Sequence, residues 1–129
     1  HVVQPYQWFQ VQQEDGSSRS AVAIYSLGNF ISNQVGDYKD YGVIFGVKIL
    51  KRGTDGKVVL QDAVTYPTWV HIDRSVSPRT YQVLPLETEL ATKEEKFGEQ
   101  KYAELERMHE QLLQHLESYA TPVVLPVTN

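Results

Sequence analysis

The chain has 129 residues, of which 41% are hydrophobic and 22% charged, so it is long enough for one globular domain with a buried core. Its formal net charge of -4 and pI near 5.5 argue against nucleic acid as a partner, because a phosphate backbone is bound by a dense basic patch. Cysteine is absent, which excludes disulfides, thiolate metal sites and a cysteine nucleophile, and no apolar run reaches the roughly 18 residues that predict a membrane span.

Two strands and a loop are predicted in the first third of the chain. Residues 6–12 alternate polar side chains with β-favouring aromatic ones, which predicts a strand with one wet face. Residues 20–25 are almost continuously apolar, which favours a strand in the middle of a sheet. The polar stretch 32–40 shows no period and is predicted to be a loop. Its carboxylates Asp37 and Asp40 are expected to be solvated, although a paired cation or acid-base role is the alternative.

Four further strands are predicted between residues 41 and 84. The β-rich segments 41–52 and 57–66 flank Thr54-Asp55-Gly56, and Asp-Gly between such segments predicts an antiparallel hairpin. A separate strand is expected at 68–73, beyond a proline at position 67 that cannot donate to a ladder. A last short strand, 80–84, lies between two prolines.

The pattern changes to a helical period after Leu90. Thr92 and Glu95 have capping-box spacing, and a single long helix is predicted over 93–119. The tail 121–129 contains two prolines and is expected to be either a docked extended strand or loose. The fold class is therefore predicted to be α+β. One apolar stripe marks the helix, comprising Phe97, Tyr102, Leu105, Met108, Leu112, Leu116 and Tyr119.

Several segments of the first 85 residues resemble one known family. They are His1-Val2-Val3-Gln4-Pro5, Tyr25-Ser-Leu-Gly-Asn-Phe-Ile31, Tyr41-Gly-Val-Ile-Phe-Gly-Val-Lys-Ile49, Tyr66-Pro-Thr-Trp-Val70 and Tyr81-Gln-Val-Leu-Pro85. In this order they resemble the C-terminal portion of the CapA family, the poly-gamma-glutamate capsule biosynthesis proteins of the calcineurin-like metallophosphoesterase superfamily. Residues 86–129 carry no such resemblance.

The resemblance implies a fold and a division of the chain. Residues 1–90 would be the β-rich C-terminal part of a calcineurin-like α/β/β/α sandwich. Residues 91–129 would be an amphipathic helix and tail packed on that part or on a partner. His1 is expected to be a processed or truncated end, with the upstream half of the same domain as a partner.

The resemblance also implies where a site lies. His1 falls where the family places a ligand of a divalent metal pair, for which Mn, Fe, Ni or Zn would suit imidazole. Ser26, Gly28 and Asn29 correspond to a loop that borders the substrate, although a self-capped turn is an equally good interpretation of these residues. The remaining ligands would lie upstream, so the isolated chain is expected to bind no metal pair and to be inactive. No catalytic residue is identified.

The implied role is to make, export or anchor an anionic capsule polymer at the bacterial cell envelope, outside the cytoplasm. The expected substrate is polyglutamate or a phosphate-containing molecule. An uncovered apolar face or sheet edge would drive association, so the isolated chain is expected to form a homo-oligomer.

Two alternatives remain. The second hypothesis is a non-catalytic β-rich module that binds a polymer or a protein at the envelope. A less favoured alternative is a copper site in which a processed His1 chelates the metal together with His71. His109 and His115 are six residues apart on the predicted helix, which places them on different faces and argues against a shared metal.

Overall fold

Six strands and two helices are present in the part of the chain that the structure describes. The computed structural model describes residues 2–93, 96–119 and 121–127. Two three-stranded sheets are present in these residues, in the orders β2-β1-β6 and β3-β4-β5. In chain order the elements are β1 (Val3–Gln12), β2 (Ser18–Leu27), β3 (Tyr41–Lys51), β4 (Val58–Asp73), β5 (Thr80–Pro85), α1 (Leu86–Thr92), α2 (Glu99–Leu116) and β6 (Val123–Leu125).

The first sheet is built on the β1–β2 hairpin. The two strands pair antiparallel from Val3 opposite Leu27 to Gln12 opposite Ser18. Strand β6 lies parallel to β1 and pairs with its residues 9–11. Part of the tail is therefore a docked strand, which is one of the two states expected from the sequence.

The second sheet is built on β4, and here the prediction of two strands is wrong. The hairpin predicted across residues 54–56 is present, since β3 and β4 pair antiparallel. Strand β4 continues without interruption through Pro67. Val70 donates its N–H to the backbone carbonyl oxygen of Asp40 on the β3 side. Because successive backbone N–H groups of a strand point to opposite sides, the nitrogen of Pro67 faces the β5 side. Strand β5 ends there, at Pro85 opposite Thr68, so no ladder bond is lost.

The prediction of one long helix over 93–119 is also wrong. Helix α1 ends at Thr92, and the next residue, Lys93, adopts the left-handed conformation (φ 41°) and donates its N–H to the carbonyl oxygen of Glu89. Helix α2 begins after Gly98, whose φ of 77° is easily adopted only by glycine. Thr92 therefore closes a helix instead of starting one, and its predicted capping partner Glu95 lies outside the described residues. None of the described helices is long and apolar enough to cross a bilayer.

The buried core lies between α2 and the adjacent ends of the two sheets. Tyr41, Val43 and Trp69 share one face of the second sheet and pack with the apolar stripe of α2. The rings of Tyr6 and Phe45, whose centroids are 5.4 Å apart, connect the first sheet to the second. The buried stripe of α2 comprises Tyr102, Leu105, Met108, Leu112 and Leu116.

The predicted architecture thus needs correction. A calcineurin-like α/β/β/α sandwich ending in one long helix does not describe this chain, which has two three-stranded sheets and a helix pair. The apolar residues between positions 97 and 119 recur with one helical period and so predict one continuous stripe. That period does not reveal the positive φ values of Lys93 and Gly98, the residues at which α1 ends and α2 begins.

Candidate functional site

The turn after β2 brings Ser26, Gly28 and Asn29 together at the point where the two sheets meet. Gly28 has a φ of 70°, and it forms an isolated bridge with Gly42 at the start of β3. A Cβ atom at Gly28 would lie 2.7 Å from the carbonyl oxygen of Tyr41 and 2.8 Å from a Val3 methyl group. Only glycine fits this close approach of three strand ends.

The polar side chains of this turn bond first to the turn itself. Ser26 Oγ accepts a hydrogen bond from the N–H of Gly28 at 3.2 Å. Asn29 Nδ2 donates to the carbonyl oxygen of Lys39 at 2.7 Å and to Gln34 Oε1 at 3.1 Å. The backbone N–H of Asn29 donates to the carbonyl oxygen of Tyr41 at 3.2 Å. The side-chain and backbone N–H groups of Asn29 therefore stabilise the loop.

Two polar atoms of the turn are left for an external ligand. Within the described residues, no hydrogen bond is accepted by Asn29 Oδ1 and none is donated by the Ser26 hydroxyl group. Both side chains are partly exposed. A hydroxyl donor beside an amide acceptor can bind a polar group such as an alcohol, an amide or a protonated oxyanion. In the described residues, the only hydrogen bond of Ser26 Oγ is the one it accepts from Gly28, and none links it to a basic side chain.

The loop from Phe30 to Asp40 places its two carboxylates, Asp37 and Asp40, in different environments. Asp37 is exposed, adopts φ 50° and pairs with Lys39 at 3.1 Å. Asp40 is buried, and its Oδ2 accepts a hydrogen bond from Trp69 Nε1 at 3.1 Å. The expectation that both carboxylates are solvated is wrong for Asp40, and the two do not form a pair that binds one cation.

The histidines do not assemble a metal centre in the described residues. His1, the predicted metal ligand, lies outside them. His71 packs against Trp69 and Phe97 at ring-centroid distances of 5.4 and 4.7 Å. No group of three or more His, Cys, Asp or Glu side chains in residues 2–93, 96–119 and 121–127 is arranged to hold a metal ion. The donors described here do not fit a divalent pair, whose ligands would have to come from other residues.

Sequence reasoning missed a second arrangement, in which Asp40, Trp69, His71, Phe97 and Lys101 meet. The residues come from the loop before β3, from β4, from the segment before α2 and from α2 itself, and Asp40 and Trp69 are separated by 29 positions. The only local signal was alternation along β4, which places Trp69 and His71 on the same face. No local pattern indicates which side chains that face meets.

Comparison of the chain with family models, curated proteins and solved structures finds no match.

Proposed function

We propose that this chain is the site-bordering portion of a CapA-like capsule biosynthesis protein of the bacterial cell envelope. In this proposal the turn at Ser26, Gly28 and Asn29 forms one wall of a site for polyglutamate or a phosphate-containing substrate. Support comes from the order of the resembling segments and from the rigid construction of the turn. Gly28 fixes the backbone position, and the Ser26 hydroxyl group and Asn29 Oδ1 remain for a ligand.

The observation that carries the proposal is the apolar surface around this turn. Five large hydrophobic side chains in a stretch of 12 residues are about half exposed or more. Single exposed apolar residues are ordinary, but a concentration beside a polar turn is typical of a surface that another segment covers. We assign the upstream half of the same domain as that covering segment. The five are Leu27, Phe30, Ile31, Val35 and Tyr38.

The chemistry of the whole site would depend on residues beyond those described. A divalent metal pair lowers the pKa of a bound water and neutralises charge on a phosphoryl group. In this proposal its ligands come from the upstream half, with His1 as a further ligand. The contribution of the described residues is to orient substrate at the turn and to bury the apolar surface against the upstream half.

Hydrolysis assays with and without the upstream half test this proposal. The 129 residues alone should show no metal-dependent hydrolysis of an aryl phosphate with Mn or Zn. In the longer protein, Ser26→Ala should lower activity, whereas Ser20→Ala in the same strand should leave it unchanged. Metal-dependent turnover by the 129 residues alone, or equal effects of the two substitutions, would contradict the proposal.

The coding sequence upstream of His1 offers an independent check. The proposal expects a Gly-x-His-Pro segment just before the chain, with Asp-x-His and Gly-Asn-His segments further back. These supply the imidazoles and carboxylates that a two-metal site needs. An upstream sequence without them would sink the assignment, whatever the activity of the chain.

The alternative, a non-catalytic β-rich module, is favoured by a second exposed surface. Ile44 lies opposite Tyr66, and Gly46 lies opposite Val64, on the face of the second sheet away from the core. These residues form a continuous uncharged strip in which all three side chains are 44–47% exposed. A flat apolar strip is complementary to itself and offers nothing to a polyanion, so its occupant in this alternative is a second copy of the chain.

Light scattering measures this association. The alternative expects a dimer that Tyr66→Lys dissociates. Val76→Lys, at an exposed apolar residue outside the strip, should leave the dimer intact. A monomeric wild-type chain would exclude self-association through the strip.

A further inference from the structure

Three rings form a fixed wall where the end of β4 meets the start of α2. The ring centroids of Trp69 and Phe97 are 5.2 Å apart, and His71 contacts both rings. The indole of Trp69 is held at its edge by Asp40. The Nζ atom of Lys101 lies 4.7 Å from the centre of the same indole. The wall is therefore oriented by contacts on two of its sides.

A cleft of about 260 Å³ opens along this wall. Much of the remaining lining comes from Val35 in the loop before β3, from Ile72 near the end of β4, and from Arg74, which follows β4. Pockets for drug-sized ligands have volumes of about 300–1,000 Å³, so this cleft suits a smaller molecule. Its lining combines rings and aliphatic groups with the cationic side chains of Arg74 and Lys101 and with Asp40, which bonds to Trp69.

Two of the acidic side chains beside the wall, Asp40 and Asp73, accept hydrogen bonds from neighbouring groups. Asp40 accepts hydrogen bonds from Trp69 Nε1 and from the N–H of Gly36. Asp73 accepts two from Ser75, through its N–H at 2.8 Å and its hydroxyl group at 2.6 Å. These bonds hold both carboxyl groups in place, and neither forms an ion pair with Arg74 or Lys101 in the described residues.

The cationic groups on the cleft are unequally paired. Lys101 Nζ contacts Glu104 Oε2 at 3.0 Å. Arg74 is exposed and makes no ion pair with a described residue. Burial, together with the charges of Lys96 and Lys101, lowers the pKa of His71, so its imidazole is mostly neutral at pH 7. The positive charge lining the cleft belongs to Arg74 and Lys101.

We propose that this cleft binds a small oxyanion, a carboxylate or a phosphate, carried on a planar apolar group. The planar group lies against Trp69 and Phe97, and the oxyanion faces Arg74 and Lys101. A guanidinium group binds both oxygens of such an anion with matched geometry, and the neighbouring ammonium group adds charge. The site is distinct from the Ser26–Asn29 turn and does not depend on the function proposed above.

The two indole N–H resonances of the full chain test the proposal. Benzoate and phenyl phosphate are titrated at constant ionic strength, and Trp8→Phe assigns the two signals. Saturable shifts of the Trp69 signal, with the Trp8 signal unchanged, are expected. Tighter binding of either compound supports the proposal and identifies the preferred oxyanion. Benzyl alcohol, which has the ring without the charge, and inorganic phosphate, which has the charge without the ring, should each bind at least tenfold more weakly.

Charge-matched variants separate the cleft from general electrostatic attraction. Arg74→Gln and Lys101→Gln should each weaken benzoate binding about tenfold or more, since each removes a charge-assisted contact. Arg19→Gln, an exposed position in β2, should leave it unchanged. A shift that does not saturate, equal binding of benzyl alcohol, equal binding of inorganic phosphate, or the same affinity in the Arg74 and Arg19 variants would each overturn the proposal.

Discussion

Trp69 Nε1 donates a hydrogen bond to Asp40 Oδ2 over 3.1 Å, joining the middle of the second sheet to the end of the loop that follows β2. The other carboxylate oxygen accepts the N–H of Gly36 at 3.3 Å. One buried side chain therefore fixes both the indole that borders the cleft and the loop that carries the exposed apolar surface.

Removal of this carboxylate should destabilise the fold. Asp40→Ala leaves the indole N–H of Trp69 buried without its acceptor, which costs about 1–3 kcal/mol in the free energy of unfolding. Urea denaturation measures the change. Asp62→Ala, at an exposed residue of β4, is the matched control and should lie within about 0.5 kcal/mol of wild type. Equal stability of the two variants would mean that the Trp69–Asp40 bond contributes nothing measurable.

The close approach at Gly28 predicts a steric effect that can be separated from backbone strain. Gly28 and Gly56 have nearly the same positive φ, 70° and 68°, but only Gly28 is crowded. Both alanine substitutions should cost about 1–2 kcal/mol for the left-handed backbone. Gly28→Ala should cost roughly 1–3 kcal/mol more, because its Cβ meets the Tyr41 carbonyl oxygen and Val3. Denaturant unfolding of both variants gives the difference, and equal losses would refute the crowded contact.

The extent to which the sequence predicted this fold follows from the range of the interactions involved. The hairpin between β3 and β4 was predictable because Asp55-Gly56 and the flanking β-branched residues act locally. The break between α1 and α2 was not, because lysine at position 93 is no signal for the left-handed conformation it adopts. Pro67 suggested a strand break that is absent for a related reason. The cost of a proline inside a strand depends on whether a paired strand faces its nitrogen, and β5 ends at that point.

The candidate sites also divide into features that the local sequence indicates and features that depend on distant contacts. The Ser-Leu-Gly-Asn segment indicated a turn from its composition, and the turn is present. No local pattern indicated that the side-chain N–H groups of Asn29 would bond to Lys39 and Gln34. The aromatic wall depends on contacts among a loop, β4 and the segment that leads into α2, which only the tertiary fold specifies.

The contact between the two helices predicts a further loss of stability. Tyr102 donates its hydroxyl group to Oε1 of the buried Glu89 at 3.0 Å, which connects α2 to α1. Hydrogen bonds to a charged group contribute about 1.5–3 kcal/mol, so Tyr102→Phe should lower the free energy of unfolding by roughly that amount. Thermal or urea unfolding measures it. Tyr119→Phe, where the tyrosine is 48% exposed, should have little effect. If Tyr102→Phe leaves the free energy of unfolding unchanged, Glu89 is stabilised by its other contacts alone.

The environment of His71 predicts a titration below the ordinary histidine value of 6.5. Burial is the largest cause of its lowered pKa, and Lys96 and Lys101 add to it, while Asp73 and Glu89 oppose it. The folded protein therefore binds fewer protons at His71 than the unfolded chain. The resulting stability is complete above pH 6.5 and is lost as the pH falls through the folded pKa. A proton NMR titration of the His71 ring should give a midpoint below 6.5. Lys101→Gln should raise that midpoint only in part, because burial remains, and Asp73→Asn should lower it further. A wild-type midpoint at or above 6.5, or a midpoint that Lys101→Gln lowers, would contradict this account of the charges around the aromatic wall.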